Sequence, residues 1–161
     1  METARILGKE CHRSVKIHAG LNEVAFGRWQ GYTFDDLIND DAYHRFLRNP
    51  LRAAVPGGET IVDVQRRGLR AVRRGIRDYP GGRLLFVSHG DLIRAVLCHY
   101  MKLPLQEFRR IRVDNGTLSA LEVDGDWAEV KYLNYLPDVS QVSNESFSGL
   151  KPAKLKRNKS K

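Results

Sequence analysis

The sequence predicts an α/β fold of three layers, α/β/α, in which helices cover a mostly parallel sheet and a β-hairpin ends the domain. The predicted order is helix, strand, helices, strand, helix and hairpin. The run Leu84–Val87 is entirely apolar and follows a helical segment, which is typical of a buried parallel strand. Asp124-Gly125-Asp126 lies between two alternating segments and indicates the hairpin turn.

The first third of the chain is predicted to be mainly helical. Residues 2–13 have the pattern of the latter part of a helix, and residues 15–21 are a candidate strand. Thr33 is a candidate N-cap for a helix that begins at Phe34. A further helix is predicted over residues 41–52, ending near Pro50.

The middle of the chain carries the clearest helix signals. Thr60 followed by Asp63 resembles a capping box, and Tyr79-Pro80-Gly81-Gly82 ends the helix that it opens. The predicted apolar face of that helix consists of Val62, Leu69, Val72 and Ile76. The remaining predicted elements are a helix over Asp91–Tyr100, a short helix over Pro104–Ile111, and strands over Gly116–Val123 and Trp127–Leu133.

Composition and cysteine usage indicate a soluble protein of one domain. The 161 residues are 42% hydrophobic, and no apolar run approaches the ~20 residues that span a bilayer. Cys11 and Cys98 are the only cysteines and do not have the spacing of a metal or redox motif. We therefore expect a reduced, cytoplasmic protein without a membrane partner.

The net charge of +8 is concentrated at the C-terminus. Residues 151–161 contain six Lys or Arg and no acid, whereas residues 1–150 contain 21 basic and 19 acidic residues. We expect one folded domain over residues 1–138 and a disordered basic tail over residues 139–161. The tail either contacts a polyanion or is simply solvated, and the lack of interleaved aromatic residues favours the second interpretation.

His89 is the first candidate for chemistry. It lies between a predicted buried strand and the N-terminus of a buried helix. The free N–H groups near Gly90 and Asp91, together with the helix dipole, form a place where a phosphate group can bind. The alternative is a structural histidine that ends the strand.

Glu23 is the second candidate, because it lies in a loop with aromatic residues and glycines. Desolvation by aromatic rings raises a carboxyl pKa and suits a general acid; the alternative is a solvated loop glutamate.

No His or Cys spacing indicates a metal site, and no nucleotide-binding motif occurs. The arginines between positions 66 and 77 are interpreted as a solvated helix face; they are Arg66, Arg67, Arg70, Arg73, Arg74 and Arg77.

Four motifs in order resemble the histidine phosphatase superfamily of the phosphoglycerate-mutase-like kind. They are Glu2-Thr3-Ala4-x-Ile6-Leu7, Leu21-Asn22-Glu23-x-x-Phe26-Gly27-x-Trp29-x-Gly31, Pro56-Gly57-Gly58-Glu59-Thr60 with Asp63 and Arg67, and Val87-Ser88-His89-Gly90-x-x-Ile93-Arg94. The resemblance implies that Glu23 is the proton donor and His89 the second histidine. The short stretch between Glu23 and Pro56 is similar to the phosphatase branch, such as alpha-ribazole phosphatase, rather than to the mutases.

The sequence departs from this family at the nucleophile. The R-H-G motif, whose histidine attacks phosphorus in the family, does not occur in the 161 residues. The resemblance implies an N-terminally truncated chain without the first two strands, which begins about two residues after a second family arginine. The strand Leu84–Val87 then has two bare edges. Because unpaired backbone groups cost about 1–3 kcal/mol each, we expect the chain alone to be unstable or prone to aggregation.

The resemblance implies a phosphomonoesterase that acts on a small phosphorylated metabolite through a phosphohistidine, without a cofactor or metal. This chain alone is expected to be inactive. The alternatives are a catalytically dead remnant and a protein that binds a phospho-ligand or a polyanion. Nucleic acid is ranked last among the partners, and the sequence does not indicate an oligomeric state.

Overall fold

A computed structural model describes residues 1–125 and 127–136, except for the side chain of Phe34. Asp126 of the predicted turn and the predicted basic tail lie outside the described residues. The helices are α1 (Glu2–Glu10), α2 (Phe34–Leu37), α3 (Asp41–Arg48), α4 (Ile61–Asp78) and α5 (Gly90–Tyr100). Short 3-10 turns occupy Ala19–Leu21, Gly27–Trp29 and Leu105–Arg110, and the strands are β1 (Leu118–Asp124) and β2 (Trp127–Tyr135).

The two predicted N-caps, at Thr33 and Thr60, are confirmed. The Thr60 hydroxyl accepts a hydrogen bond from the Asp63 N–H, and the Asp63 carboxylate accepts one from the Thr60 N–H, which completes the capping box of α4. Thr33 and Asp36 form the same arrangement at α2. Each cap satisfies helix N–H groups that have no partner within the helix.

The core forms where α4 crosses α5. Gly68 lets the helices approach closely, because a Cβ there would lie 3.0 Å from Val96 Cγ2. The Gln65 side-chain amide donates to the Ala95 carbonyl at 2.8 Å and ties the helices together. The buried residues of α4 are Ile61, Val64, Gly68, Leu69, Ala71 and Val72. Leu69 and Val72 were predicted for this face, whereas Val64 is buried in place of Val62, which is only half-buried.

The predicted hairpin is confirmed. Strands β1 and β2 pair in antiparallel register, with Asp124 opposite Trp127 and Leu121 opposite Val130. Leu121 and Val123 face the core, while Glu122 and Asp124 are exposed, as alternation along a strand requires.

Two strand predictions are wrong. Within the described residues the only ladder is the hairpin, so residues 15–21 and Leu84–Val87 form no strand; Ala19–Leu21 is a 3-10 turn instead. Leu85 is 56% exposed and Ile17 is 74% exposed. An apolar run becomes a buried strand only where neighbours supply ladder hydrogen bonds and cover its faces. No described segment does this for Leu84–Val87.

Cys11 is an exposed free thiol, and Cys98 is a buried one in α5. Burial raises the pKa of the Cys98 thiol and keeps it protonated. No helix in the described part of the chain is both long and apolar enough to cross a membrane.

Candidate functional site

Two buried side chains of its own, Val24 and Trp29, anchor the loop that carries Glu23. Val24 and Trp29 are 3% and 4% exposed, and the Trp29 ring packs edge-on against Tyr43 and Phe46. The Trp29 indole N–H donates to the Asp40 carboxylate at 3.3 Å. Glu23 itself is half-buried, and its Oε1 accepts a hydrogen bond from the Val24 N–H at 3.0 Å.

Arg67 fixes the backbone on the other side of this loop. Its guanidinium donates to three loop carbonyls, those of Gly20, Asn22 and Glu23, at 2.7 to 3.0 Å. It also forms a two-pronged ion pair with Glu59, at 2.8 and 2.9 Å. The Arg67 side chain is only 15% exposed. The prediction that Arg67 belongs to a solvated face is therefore wrong, since it lies on the buried side of α4 beside Gly68.

The turn before α4 fits against the same loop. The Glu59 carboxylate accepts from the Ala25 N–H at 2.9 Å, and the Glu59 N–H donates to the Ala25 carbonyl at 3.1 Å. A Cβ on Gly58 would lie 2.0 Å from the Ala25 carbonyl oxygen, so only glycine permits this approach. The sequence predicted this turn as a helix start, but its second role in holding the loop depends on contacts distant in sequence.

The Arg67 guanidinium, followed by the Ala25 N–H, lowers the pKa of the Glu59 carboxyl below its ordinary value of 4.5. A lowered pKa means that this pair stabilises the fold above the unfolded-state pKa and that the contribution is lost as pH falls through the folded-state pKa. We expect Glu59→Gln to cost about 2 kcal/mol at pH 7. The difference from wild type should shrink steadily below about pH 4.5, as measured by urea unfolding. A cost that is independent of pH would contradict this role of the ion pair.

His89 is the N-cap residue of α5, and its side chain is exposed. Its carbonyl accepts from the Ile93 N–H at 2.9 Å and thereby starts the helix. The preceding Ser88 hydroxyl donates to the Leu21 carbonyl at 2.7 Å. This bond brings the segment that carries His89 into contact with the loop that carries Glu23, because Leu21 is two residues before Glu23.

The first turn of α5 also carries an ion pair. Arg94 Nη1 donates to the Asp91 carboxylate at 2.8 Å, and Arg94 Nε donates to the Ile111 carbonyl at 3.0 Å. A Cβ on Gly90 would lie 3.2 Å from Arg94 Nη1, so the guanidinium lies beside the start of the helix. The Arg94 guanidinium thus balances the negative charge of Asp91. This ion pair lies at the helix start whose backbone N–H groups, those of Gly90 and Asp91, were predicted to hold phosphate.

A cleft of about 390 Å³ opens beside the Glu23 loop. Its lining includes Arg28, Trp29, Tyr32, Asp40 and Arg45. Neither Glu23 nor His89 lines this cleft. Within the described residues no group of three or more His, Cys, Asp or Glu side chains could hold a metal ion.

The motifs and the fold together indicate the class of this protein. The chain belongs to the histidine phosphatase superfamily (branch 1), whose family model matches residues 1–136. It is 27% identical over 134 residues to the adenosylcobalamin/alpha-ribazole phosphatase of Escherichia coli, covering 82% of this chain and 66% of that protein. It is 30% identical over 136 residues to the glucosyl-3-phosphoglycerate phosphatase of Mycobacterium tuberculosis, covering 79% of this chain and 60% of that protein.

The solved structure of Bacillus stearothermophilus YhfR superimposes with a TM-score of 0.74 at 28% identity, over 81% of this chain and 66% of YhfR. The likeness confirms the phosphoglycerate-mutase-like fold class. The chain spans 61% and 66% of the length of two curated relatives that it matches. The motif-based family assignment is therefore confirmed, whereas the roles of individual residues stay predictions.

Proposed function

We propose that this chain supplies the acid and the second histidine of a phosphomonoesterase that hydrolyses a small phosphate ester through a phosphohistidine. The observation that carries the proposal is the Ser88–Leu21 hydrogen bond, which joins the Glu23 loop to the start of α5. Family membership and the phosphatase names of the relatives support the reaction class. The two free thiols support a reducing compartment such as the cytoplasm.

In the proposed reaction, a neutral histidine of an R-H-G segment attacks phosphorus in line and forms a P–N bond while the ester P–O bond breaks. Glu23, protonated, donates its proton to the leaving alkoxide oxygen. His89 and the N–H groups of Gly90 and Asp91 stabilise the equatorial phosphoryl oxygens, because electrostatic stabilisation dominates phosphoryl transfer. Water then attacks phosphorus, gives a proton to the Glu23 carboxylate, and breaks the P–N bond to release phosphate and the neutral histidine.

The 161 residues contain no R-H-G, so the proposal predicts that this chain has no turnover by itself. We expect no hydrolysis of p-nitrophenyl phosphate above background by the purified chain. A chimera should be active if it places before Glu2 the N-terminal segment of a histidine phosphatase that carries the R-H-G motif. The measurement is p-nitrophenolate release under identical conditions for both proteins.

The matched control is the same chimera with the R-H-G histidine changed to alanine, which keeps the added strands and removes the nucleophile. Activity in that control, or in the chain alone, would contradict a nucleophile on the added segment. A folded chimera without activity would instead favour a catalytically dead remnant. Circular dichroism and urea unfolding establish which chimera is folded.

A further inference from the structure

A second cleft, of about 160 Å³, lies between the C-terminal ends of α4 and α5 and the hairpin. It is separate from the proposed phosphatase site. His99 in this cleft lies nine residues along α5 from Gly90, which is roughly 13 Å at the rise of an α-helix. The polar lining includes Arg73, Arg77 and His99, and the apolar lining consists of Ile76, Tyr100 and Val123.

Two guanidinium groups border this cleft. Arg73 and Arg77 are four residues apart and therefore lie on one face of α4, and both are exposed. Arg73 Nη2 lies 3.1 Å from His99 Nε2. Since a guanidinium stays protonated and only donates, the imidazole nitrogen accepts in this contact. The Arg73 guanidinium is thereby held at the cleft.

The described acids near the cleft do not balance this charge. Asp78 is shared between Arg77 at 3.6 Å and Arg74 at 3.5 Å, and all three side chains are largely exposed. Asp124 follows Val123 on β1 and so points to the opposite face of the hairpin. Each of the two helix C-termini adds roughly half a negative elementary charge, so Asp78 and the termini together carry about two negative charges against the three positive charges of Arg73, Arg74 and Arg77.

The size and floor of the cleft restrict what it can hold. Its volume is well below the roughly 300–1,000 Å³ of sites for drug-sized ligands. Tyr100 is 8% exposed, and Ile76 and Val123 are partly buried against the core, so the floor is apolar. A ligand that contacts both the arginine border and the apolar floor therefore has one compact oxyanion group and a short carbon portion.

We propose that this cleft is a second ligand site, which binds a small organic oxyanion. Its phosphate or carboxylate group lies between Arg73 and Arg77, and its carbon portion lies on Ile76, Tyr100 and Val123. Guanidinium groups bind either oxyanion through paired N–H donors. The site does not depend on Glu23, His89 or the proposed phosphatase activity.

The test is titration of the purified 161-residue chain with phenyl phosphate, benzoate, inorganic phosphate and phenol, followed by calorimetry and by amide NMR shifts. We expect saturable binding of phenyl phosphate or benzoate, with shifts centred on His99 and Val123. The relative affinity of these two probes shows which oxyanion the site prefers. Inorganic phosphate should bind more weakly because it leaves the apolar floor uncovered, and phenol should not bind.

The double variant Arg73→Gln/Arg77→Gln should weaken binding at least tenfold. The matched control is Arg66→Gln/Arg70→Gln, which removes the same charge from exposed positions of the same helix and should change the Kd less than twofold. His89→Ala should also leave this Kd unchanged. Equal losses in both arginine pairs would reveal diffuse attraction and overturn the proposal. So would shifts centred on Glu23 and His89, or the absence of saturable binding.

Discussion

Arg67→Ala is expected to lower the free energy of unfolding by about 3 kcal/mol, more than a hundredfold in the folding equilibrium. The substitution removes the partner of Glu59 and leaves three loop carbonyls without their donor. We place the cost at the lower end for a broken buried ion pair, since the Glu59 side chain is 25% exposed and water can partly solvate it. Urea unfolding followed by circular dichroism measures the change.

Two variants separate the charge of Arg67 from its geometry. Arg67→Lys keeps the charge but cannot form the two-pronged contact with Glu59 or reach several carbonyls at once, so it should recover only part of the loss. Arg66→Ala removes the neighbouring arginine, whose side chain is 62% exposed and forms a surface ion pair with Asp63, and should cost less than about 0.5 kcal/mol. Equal effects of Arg66→Ala and Arg67→Ala would show that Arg67 is an ordinary surface residue.

The helices were predictable because their signals are local. The Thr60 and Asp63 side chains cap α4 within one turn, and the apolar pattern from Asp91 to Tyr100 predicted α5. The hairpin is equally local, since a two-to-three-residue turn fixes its register. Such elements form from neighbouring residues and therefore leave their pattern in the sequence.

The Leu84–Val87 strand was not correctly predicted, because strand formation is a property of pairs of segments. Its composition satisfies every local condition, yet no described segment pairs with it, and Leu85 is 56% exposed. The expectation that the chain alone is prone to aggregation rests on the unpaired backbone edges of this segment and stays a prediction.

The candidate site also has a part that local sequence patterns predict and a part that depends on contacts between distant segments. Glu23 and His89 were identified through motifs, which are runs of adjacent residues. The ion pair between Glu59 and Arg67 was missed because its value depends on carbonyls 44 to 47 residues away. Two local signals were present: Glu59 and Arg67 both belong to the third motif, and Arg67 lies beside Gly68 on the apolar side of α4, where a charge requires a buried partner.

His89→Ala and Glu23→Gln are expected to have the largest effects on turnover in the active chimera, and they should differ in kind. His89→Ala removes a donor to the phosphoryl oxygens, which develop charge with any leaving group. It should therefore lower kcat about 100-fold or more on both p-nitrophenyl phosphate and an alkyl phosphate. Glu23→Gln removes the proton donor, so it should cost about 100-fold or more on the alkyl phosphate and much less on p-nitrophenyl phosphate.

This difference arises because p-nitrophenolate leaves without protonation, whereas an alkoxide does not. The comparison of two esters therefore distinguishes loss of an acid from general damage to the pocket, which would slow both substrates alike. His12→Asn is the matched control, since it removes an exposed histidine outside the loop and keeps a residue that tolerates the left-handed backbone there. If Glu23→Gln slowed both esters equally, Glu23 would not be the proton donor, and its contact with the Val24 N–H would be its main role.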